Sequence, residues 1–237
     1  MARIYAGTSG WAYSTWRPKF YPAKLGSADF LNYYANRLNS VEINYSFLHS
    51  LTKELLTEWI AATPANFIFA VKAPQMITHM NRLRGTRRLT RQFISSLRPL
   101  AEAEKLGPVL FQLPPNFKCS PELLEEFLGN LPAQTRIAFE FRHESWFTDE
   151  VCGLLRKANV ALCHAESEKL VTPHVQTADF SYLRLRKDKY SIKARRAVAG
   201  RVTDLSRGGE VYVYFKHERT PEGAFQAEEL LSKASRE

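Results

Sequence analysis

The sequence predicts an α/β fold, a TIM-type (β/α)8 barrel that forms a single domain over residues 1–237. Eight strand-like apolar runs recur along the chain, and helical patterns separate most of them. Strands that alternate with helices pair in parallel, and eight such units make a barrel of about 250 residues. The turn from Gly7 to Trp11 lacks the Gly-x-Gly-x-x-Gly spacing of a nucleotide-binding open sheet, which favours the barrel over a doubly wound sheet.

The strands are predicted at residues 3–9, 40–47, 67–74, 108–115, 137–143, 160–166, 180–186 and 211–218. Residues 120–122 and 148–150 each place a Ser or Thr N-cap before early acidic residues, which predicts two helix starts. The segment 90–107 contains Pro99, so we expect a kink or two helices there, with Gly107 as the C-terminal cap. Residues 167–179 are short and polar, which predicts an irregular unit between the sixth and seventh strands.

The fifth strand shows which way the side chains point. The strand alternates with a period of two residues: Ile137, Phe139 and Phe141 form one set, and Ala138, Glu140 and Arg142 form the other. Side chains at this period lie on opposite faces of a strand, and in a barrel one face packs on the helices while the other faces the axis. The apolar face belongs against the helices, so Glu140 and Arg142 are predicted to point inward.

The same alternation in the other strands predicts further inward polar residues toward the carboxyl ends, where active sites of barrel enzymes lie. These residues are Glu42, Asn44, Lys72, Gln112, Arg184, Arg186 and Lys216, while the sixth strand leaves either Cys163 or His164 inside. Five of the inward side chains are cationic and two are acidic, counting Arg142 and Glu140, and the whole chain carries a formal charge of +9. Surplus positive charge in a cavity predicts a small anionic ligand, although a satisfied polar plug is the alternative.

Several motifs resemble the family called domain of unknown function 72, also known as YecE-like proteins. They lie at residues 7–16, 20–22, 41–47, 59–74, 77–79, 106–115 and 139–147, and the strings Gln-Leu-Pro-Pro and Glu-Phe-Arg-His-x-Ser-Trp are the most specific. The resemblance implies a TIM-type barrel and supplies no reaction. The chain departs from the family pattern after the seventh strand, where Arg186-Lys187 replaces His-Gly, and after the eighth, where Lys216-His217 replaces an Asn-Asn-like end. Both departures add positive charge.

The leading hypothesis is an enzyme, an isomerase, lyase or hydrolase, that acts on a small phosphorylated or carboxylated, sugar-like substrate by acid–base chemistry. Glu140 and Glu42 are the predicted catalytic residues, because paired carboxylates can exchange protons with a substrate. The predicted substrate-binding residues are Lys72, Arg142, Gln112, Asn44, Arg184, His143, Trp146, Trp11 and Lys216. The interpretation of Lys72 is either a phosphate contact or an amine with a lowered pKa that forms a Schiff base.

Two alternatives stay open. A metal-dependent phosphodiesterase or nucleic-acid processing enzyme would use the histidines near strand ends, which are His79, His143, His164 and His217. A divalent metal therefore stays open as a cofactor, but no short ligand spacing supports it and no metal ligands are predicted. The basic run from Arg82 to Arg91 indicates a solvated face, with nucleic acid as a further partner. The third hypothesis is a non-catalytic protein that binds an anionic ligand.

The sequence predicts a cytoplasmic protein that does not enter a membrane. No apolar stretch approaches the roughly 18 residues of a membrane span, and the first residues lack the pattern of a signal peptide. Cys119, Cys152 and Cys163 are odd in number without Cys-x-x-Cys spacing, which favours reduced thiols over a disulfide framework.

Overall fold

The computed structural model describes residues 3–132, 134–167, 170–187, 190–216 and 219–234. Within these ranges the strands are β1 (Ile4–Thr8), β2 (Ser40–Ile43), β3 (Ile68–Lys72), β4 (Leu106–Gln112), β5 (Ile137–Glu140), β6 (Ala161–Leu162), β7 (His164–Glu166), β8 (Phe180–Leu185) and β9 (Glu210–Phe215). The α-helices are α1 (Phe30–Ala35), α2 (Lys53–Ala61), α3 (Arg87–Ser96), α4 (Arg98–Glu102), α5 (Pro121–Gly129), α6 (Asp149–Lys157), α7 (Ile192–Ser206) and α8 (Glu222–Ala234).

The strands form two parallel sheets, which confirms the predicted α/β class with parallel pairing. One sheet has the order β1-β9-β8-β7 and the other β2-β3-β4-β5-β6. In the second sheet Gln112 lies opposite Glu140, and in the first Arg184 lies opposite Tyr214. Because neighbouring strands run the same way, their carboxyl ends gather at one edge of each sheet.

Two connections link the sheets. The residue after β1, Ser9, forms a parallel bridge with Glu42 of β2, and the Gly10 N–H donates to the Glu42 carbonyl at 2.9 Å. The predicted sixth strand is divided at Cys163, so that β6 pairs with β5 while β7 pairs with β8. One continuous run of chain therefore contributes a strand to each sheet.

The helices begin where their sequence signals place them. Helix α6 follows Thr148, whose side chain accepts a hydrogen bond from the Val151 N–H, and two acidic residues stand in its first turn. Helix α5 begins at Pro121, a position where the missing N–H costs nothing because the first amides of a helix have no partner inside it. Both predicted helix starts are confirmed.

Pro99 divides the predicted long helix in two, as expected: α3 ends at Ser96 and α4 begins at Arg98. The prediction that Gly107 caps this segment was wrong, because Gly107 lies inside β4. A Cβ atom at this position would lie 2.7 Å from the Ile68 side chain of the adjacent strand. Close packing between strands, and not a helix end, is what requires glycine at 107.

Apolar side chains pack in two separate clusters on the two faces of the strands. The larger cluster, here the outer core, contains Ile137, Phe139 and Phe141 together with side chains of the helices. The smaller, here the inner core, consists of Tyr5, Ile68, Ala70, Leu110, Ala138, Ala161, Cys163, Phe180, Tyr182, Tyr212 and Tyr214. The faces match the predicted alternation, and Cys163 is the inner residue of the sixth run, whereas the His164 ring contacts the Val175 carbonyl at 3.2 Å.

The connection between β7 and β8 has no helix in the part of residues 167–179 that the structure describes, in agreement with the expected irregular unit. Thr177 holds this segment against β6. Its hydroxyl accepts from the Leu162 N–H at 2.7 Å and donates to the Val160 carbonyl at 2.7 Å. All three cysteines are free thiols. None of the described helices is both long enough and apolar enough to span a lipid bilayer.

Candidate functional site

Charged side chains gather at the carboxyl ends of the strands. Lys72, Gln112 and Glu140 are the last residues of β3, β4 and β5, and Glu42 is the last but one of β2. Arg184 extends from β8 of the other sheet. We call the set Glu42, Lys72, Gln112, Glu140, Arg142, Arg184 and Arg186 the charged cluster. The strand alternation predicted every one of these residues to face inward.

Arg184 joins the two sheets through both carboxylates. Its Nη2 donates to Glu42 Oε1 at 2.7 Å, and its Nη1 donates to Glu140 Oε2. All three side chains are buried, with exposed fractions of 3%, 0% and 1%. Burial of charges costs several kcal/mol per ion unless each is paired and hydrogen-bonded. Arg184, which bonds both carboxylates, compensates that cost and fixes Glu42 and Glu140 relative to one another.

The carboxylate of Glu42 accepts hydrogen bonds from four side chains. Ser9 Oγ donates to Oε1 at 2.8 Å, Asn44 Nδ2 donates to Oε1 at 3.2 Å, and the Tyr182 hydroxyl donates to Oε2 at 2.7 Å, in addition to the Arg184 contact. Burial by itself raises the pKa of Glu42, but the Arg184 charge and these hydrogen bonds outweigh burial and hold the pKa below its usual value. Glu42 is therefore ionised at neutral pH.

Glu140 is held in the same way. Gln112 Nε2 donates to its Oε1 at 2.8 Å, and Arg186 Nη1 donates to the same oxygen at 3.0 Å. Burial raises the pKa of Glu140, and the charges of Arg184 and Arg186 with their hydrogen bonds lower it to about 2. Each of the four carboxylate oxygens of Glu42 and Glu140 thus accepts at least one hydrogen bond, and neither group carries a proton to donate at neutral pH.

Lys72 and Arg142 are the two cations of the cluster whose charged groups have no polar partner in the described part of the chain. The Lys72 Nζ lies 3.8 Å above the centre of the Phe47 ring, and the exposed fraction of Lys72 is 8%. No hydrogen bond or ion pair joins the Lys72 Nζ to a described residue, because the nearby carboxylates of Glu42 and Glu140 pair with arginines. Burial and the Arg184 charge, partly offset by Glu42 and Glu140, lower the pKa of Lys72 to about 8. This amine therefore titrates close to neutral pH.

His79 lies within electrostatic range of both Lys72 and Arg142. Arg142 is half-buried and forms no hydrogen bond or ion pair with a described residue. The His79 ring packs edge-on against Phe47 with ring centres 4.9 Å apart, and its Nδ1 is 2.9 Å from Thr78 Oγ1. Burial, together with the charges of Lys72 and Arg142, lowers the pKa of His79. The sequence indicates His79 as a candidate metal ligand and gives no signal for Phe47, whose position five residues after Glu42 does not indicate a contact with β3.

Four cations and two carboxylates make up the charged cluster, so its formal charge is +2 among the described residues. Arg186 is 18% exposed and Arg142 is half-buried, so the cluster reaches solvent on their side. A partly dehydrated excess of positive charge favours an anion at this opening.

Five predicted substrate-binding residues lie outside the charged cluster: Asn44, which donates to Glu42, and Trp11, His143, Trp146 and Lys216. Trp146 is buried in the outer core, where its indole N–H donates to the Phe117 carbonyl at 2.7 Å and its ring stacks on Phe141. Trp11 packs edge-on against Trp59 of α2 with ring centres 5.1 Å apart. Trp11 thus packs against a helix and Trp146 within the outer core, and their contact with a substrate stays a prediction.

His143 caps a short 3-10 helix formed by residues 144–146. Its Nδ1 accepts from the Ser145 N–H at 3.2 Å and is 2.9 Å from Ser145 Oγ. Lys216 directly follows β9, and its N–H donates to the Leu185 carbonyl at 3.0 Å, which places Lys216 beside Arg186. His217, considered above as a metal ligand, lies outside the described residues.

Metal-ligating groups do not assemble in the part of the chain that is described. No three His, Cys, Asp or Glu side chains of that part stand close enough together to hold a metal ion. The four glutamate oxygens of the charged cluster that resemble a ligand set are already hydrogen-bonded to Arg, Gln, Asn, Ser and Tyr donors. The arginines at 84, 87, 88 and 91 are exposed, as expected for a solvated face.

The chain is similar to several known proteins. A family model described as "Protein of unknown function DUF72" matches residues 5–237. UPF0759 protein YunF of Bacillus subtilis (strain 168) is 32% identical over 155 residues, which is 61% of this chain and 52% of YunF. UPF0759 protein YecE of Escherichia coli (strain K12) is 32% identical over 148 residues, 61% of this chain and 50% of YecE. The matched part of the chain spans about half the length of these curated relatives.

Two solved structures match nearly the whole chain. A DUF72 family protein from Thermotoga maritima superimposes with a TM-score of 0.88 at 27% identity, covering 98% of this chain and 99% of that one. A DUF72 family protein from Enterococcus faecalis V583 superimposes with a TM-score of 0.77 at 20% identity, covering 98% of each chain. The second likeness shows a shared fold alone.

Proposed function

The chain belongs to the DUF72 family of proteins of unknown function, and we propose from its own charged cluster that it is an enzyme acting on a small anionic substrate. The substrate is phosphorylated or carboxylated and sugar-like, and the chemistry is proton transfer at the carboxyl ends of the strands. One observation carries the proposal: Lys72 and Arg142 lack an acidic partner in the described chain, while every oxygen of Glu42 and Glu140 is occupied. A bound anion supplies the missing negative charge.

The architecture we propose for the site is a closed (β/α)8 barrel. Three features support closure: the Ser9–Glu42 bridge between the sheets, the division of one run of chain into β6 and β7, and the Arg184 contacts that cross from one sheet to the other. In such a barrel the inner core fills the axis and the charged cluster lies at the carboxyl-terminal mouth, the position of active sites in barrel enzymes.

The side chains take distinct roles in this proposal. Arg142 and Arg186 bind the anionic group, and Asn44 and Gln112 orient the carboxylates of Glu42 and Glu140. Those carboxylates hold Arg184 and do not donate protons at neutral pH, since their pKa values are lowered. The proton-transfer role predicted for them passes to Lys72, whose pKa of about 8 lies near neutral pH, where a general acid or base is most effective.

Anion binding is tested by titrating purified protein with inorganic phosphate and with pyruvate in a calorimeter at low ionic strength. We expect binding to the unaltered protein and at least tenfold weaker binding to Arg142→Met. The matched control is Arg98→Met, which removes an exposed arginine that pairs with Glu102 one helical turn further on. Equal affinities of the two variants would place the anion elsewhere and reject the proposed site.

Catalysis is tested by a screen of phosphorylated and carboxylated sugars and their carbonyl derivatives, read by mass change of the compound. We expect the unaltered protein to convert a screened compound and Lys72→Met to lose this turnover. The phosphate affinity of Lys72→Met is expected to fall by a smaller factor than its turnover. Tight binding of a screened compound without any conversion would contradict an enzyme and support the non-catalytic binding protein.

A second candidate function is binding of single-stranded nucleic acid. It is favoured by the exposed arginines 84, 87, 88 and 91 at the start of α3, which form no ion pair with a described residue. A titration of labelled oligonucleotide over increasing salt tests it, because affinity for phosphates falls steeply with salt. Absence of binding at low salt would remove this candidate.

A further inference from the structure

Lys72 combines burial with an amine that no described acceptor engages. The last residue of β3, it lies above the Phe47 ring, and its carbonyl is fixed by the Ser46 hydroxyl at 2.6 Å. Lys72 is within electrostatic range of Arg186, and both Lys72 and Arg142 act on the His79 ring. Arg142 and Arg186 are the anion-binding groups of the proposed function. A nucleophile next to an anion site is the arrangement needed to attack a substrate that carries both a carbonyl and a negative group.

We propose that Lys72 forms a Schiff base with the carbonyl carbon of an anionic oxo compound, either a 2-oxo acid or a phosphorylated aldehyde or ketone. This inference rests on the proposed function, because Arg142 and Arg186 must hold the anionic group while the amine reacts.

The reaction balances with groups of the site and water. The neutral amine of Lys72 forms a bond to the carbonyl carbon, and the carbonyl oxygen takes the proton that the nitrogen loses, which gives a carbinolamine. The hydroxyl group then gains a second proton and leaves as water, so that a protonated imine remains. That second proton comes from water, because the lowered pKa of His79 leaves the nearby imidazole ring neutral at pH 8.

Burial of Lys72 and the nearby Arg184 charge keep part of the amine neutral. With a pKa of about 8, roughly one tenth of Lys72 is uncharged at pH 7, several hundred times the fraction of an ordinary lysine. Cation–π contact with Phe47 holds the protonated form without providing a carboxylate that would bind it tightly.

Lys105 is a natural control, because it is also a buried lysine. Its Nζ donates to the carbonyls of Ile60 and Thr63 at 3.0 and 2.7 Å and to Thr63 Oγ1 at 2.7 Å. It directly precedes β4, at the amino end of that strand, away from the arginines of the charged cluster. Burial alone does not make a lysine a nucleophile when all three ammonium hydrogens are donated.

The experiment incubates the protein with pyruvate or with glyceraldehyde 3-phosphate at pH 8 in the presence of cyanoborohydride, which reduces the imine to a stable secondary amine. Peptide mapping by mass spectrometry then locates the adduct. We expect labelling at Lys72 at least tenfold above that at Lys105, loss of this adduct in Lys72→Arg, and at least tenfold less labelling by uncharged glyceraldehyde. Mapping of the unaltered protein gives the answer even if Lys72→Arg does not fold.

The outcomes separate this inference from the proposed function. Calorimetric binding of phosphate without an adduct at Lys72 would overturn the Schiff base and leave the anion site in place. An adduct at Lys72 formed equally well by uncharged glyceraldehyde, with no phosphate binding, would support the nucleophile and reject the anion site. Labelling spread evenly over exposed lysines would overturn the Schiff base.

Discussion

Replacement of Arg184 by Met removes the cation that joins Glu42 and Glu140, and the loss is large because all three groups are buried. A carboxyl group whose pKa falls from 4.5 to about 2 on folding, as that of Glu140 does, is stabilised by about 3 kcal/mol at neutral pH. Arg186 and Gln112 supply part of this effect and persist in the variant, but Glu42 loses its cation as well. Breaking a buried pair costs about 3–5 kcal/mol, and we expect a decrease of that size in the free energy of unfolding.

The assay is urea-induced unfolding followed by tryptophan fluorescence and circular dichroism at pH 7. Arg98→Met is the control, because it breaks an exposed pair that contributes less than about 1 kcal/mol. The double variant Arg184→Met/Glu140→Gln tests the cause, since removal of the carboxylate charge lowers the cost of leaving it unpaired. The double variant is therefore expected to lose less free energy of unfolding than the sum of the losses in the two single variants.

The pH dependence has a definite sign. In the unaltered protein the pKa of Glu140 is lower in the folded state, so its contribution is complete above pH 4.5 and is lost as the pH falls toward 2. In Arg184→Met the buried carboxylates lose their cation and their pKa values rise. The difference in stability between the two proteins is therefore largest at neutral pH and shrinks as the pH falls below 4.5. A destabilisation of less than 1 kcal/mol at pH 7, or one that does not change with pH, would refute this account of the charged cluster.

Three further predictions follow from single contacts. Tyr182→Phe removes a hydrogen bond to a buried carboxylate and is expected to lower the free energy of unfolding by about 1–3 kcal/mol in the same urea assay; no change would mean that the bond is absent. Gly107→Ala places a Cβ atom 2.7 Å from an isoleucine of β3 and is expected to lower the free energy of unfolding by about 1–3 kcal/mol. The control Gly129→Ala, with open space at the end of α5, should leave it unchanged or raise it by up to about 1 kcal/mol. Equal effects of the two variants would contradict the strand packing. The rate at which acetic anhydride modifies Lys72 should reach half its maximum near pH 8, and a midpoint near the ordinary value of about 10.4 would contradict its burial beside arginines.

The faces of the strands were predictable from the sequence because a strand alternates with period two. Once Ile137, Phe139 and Phe141 were assigned to the outer core, Glu140 had to point the other way, and the contacts of Glu140 agree. Parallel pairing was predictable from the helical patterns between strands. These features depend on neighbours a few residues away in the chain.

The protonation states and hydrogen-bond partners of the two carboxylates were not predictable, because they depend on contacts between residues far apart in sequence. Arg184 meets Glu42 across 142 positions and Glu140 across 44 positions. Nothing local to Glu140 indicates that both of its oxygens accept hydrogen bonds, so the sequence favoured it, with Glu42, as a residue that transfers protons. The packing of Trp11 and Trp146 was not predictable for a related reason: a large ring beside a strand end packs equally well in a pocket or in the core, and the contacts with Trp59 and Phe117 come from distant parts of the chain. Their contact with a substrate stays a prediction.

The central claim is that the cations at the carboxyl ends of the strands form an anion site, and crystallography with an anomalous scatterer tests it most directly. Crystals soaked in bromide or tungstate locate bound anions independently of any assumed reaction. The account predicts the strongest anomalous peak within contact distance of Lys72 and Arg142, and its loss in crystals of Arg142→Met. Peaks confined to the exposed arginines at the start of α3, with none between Lys72 and Arg142, would contradict it.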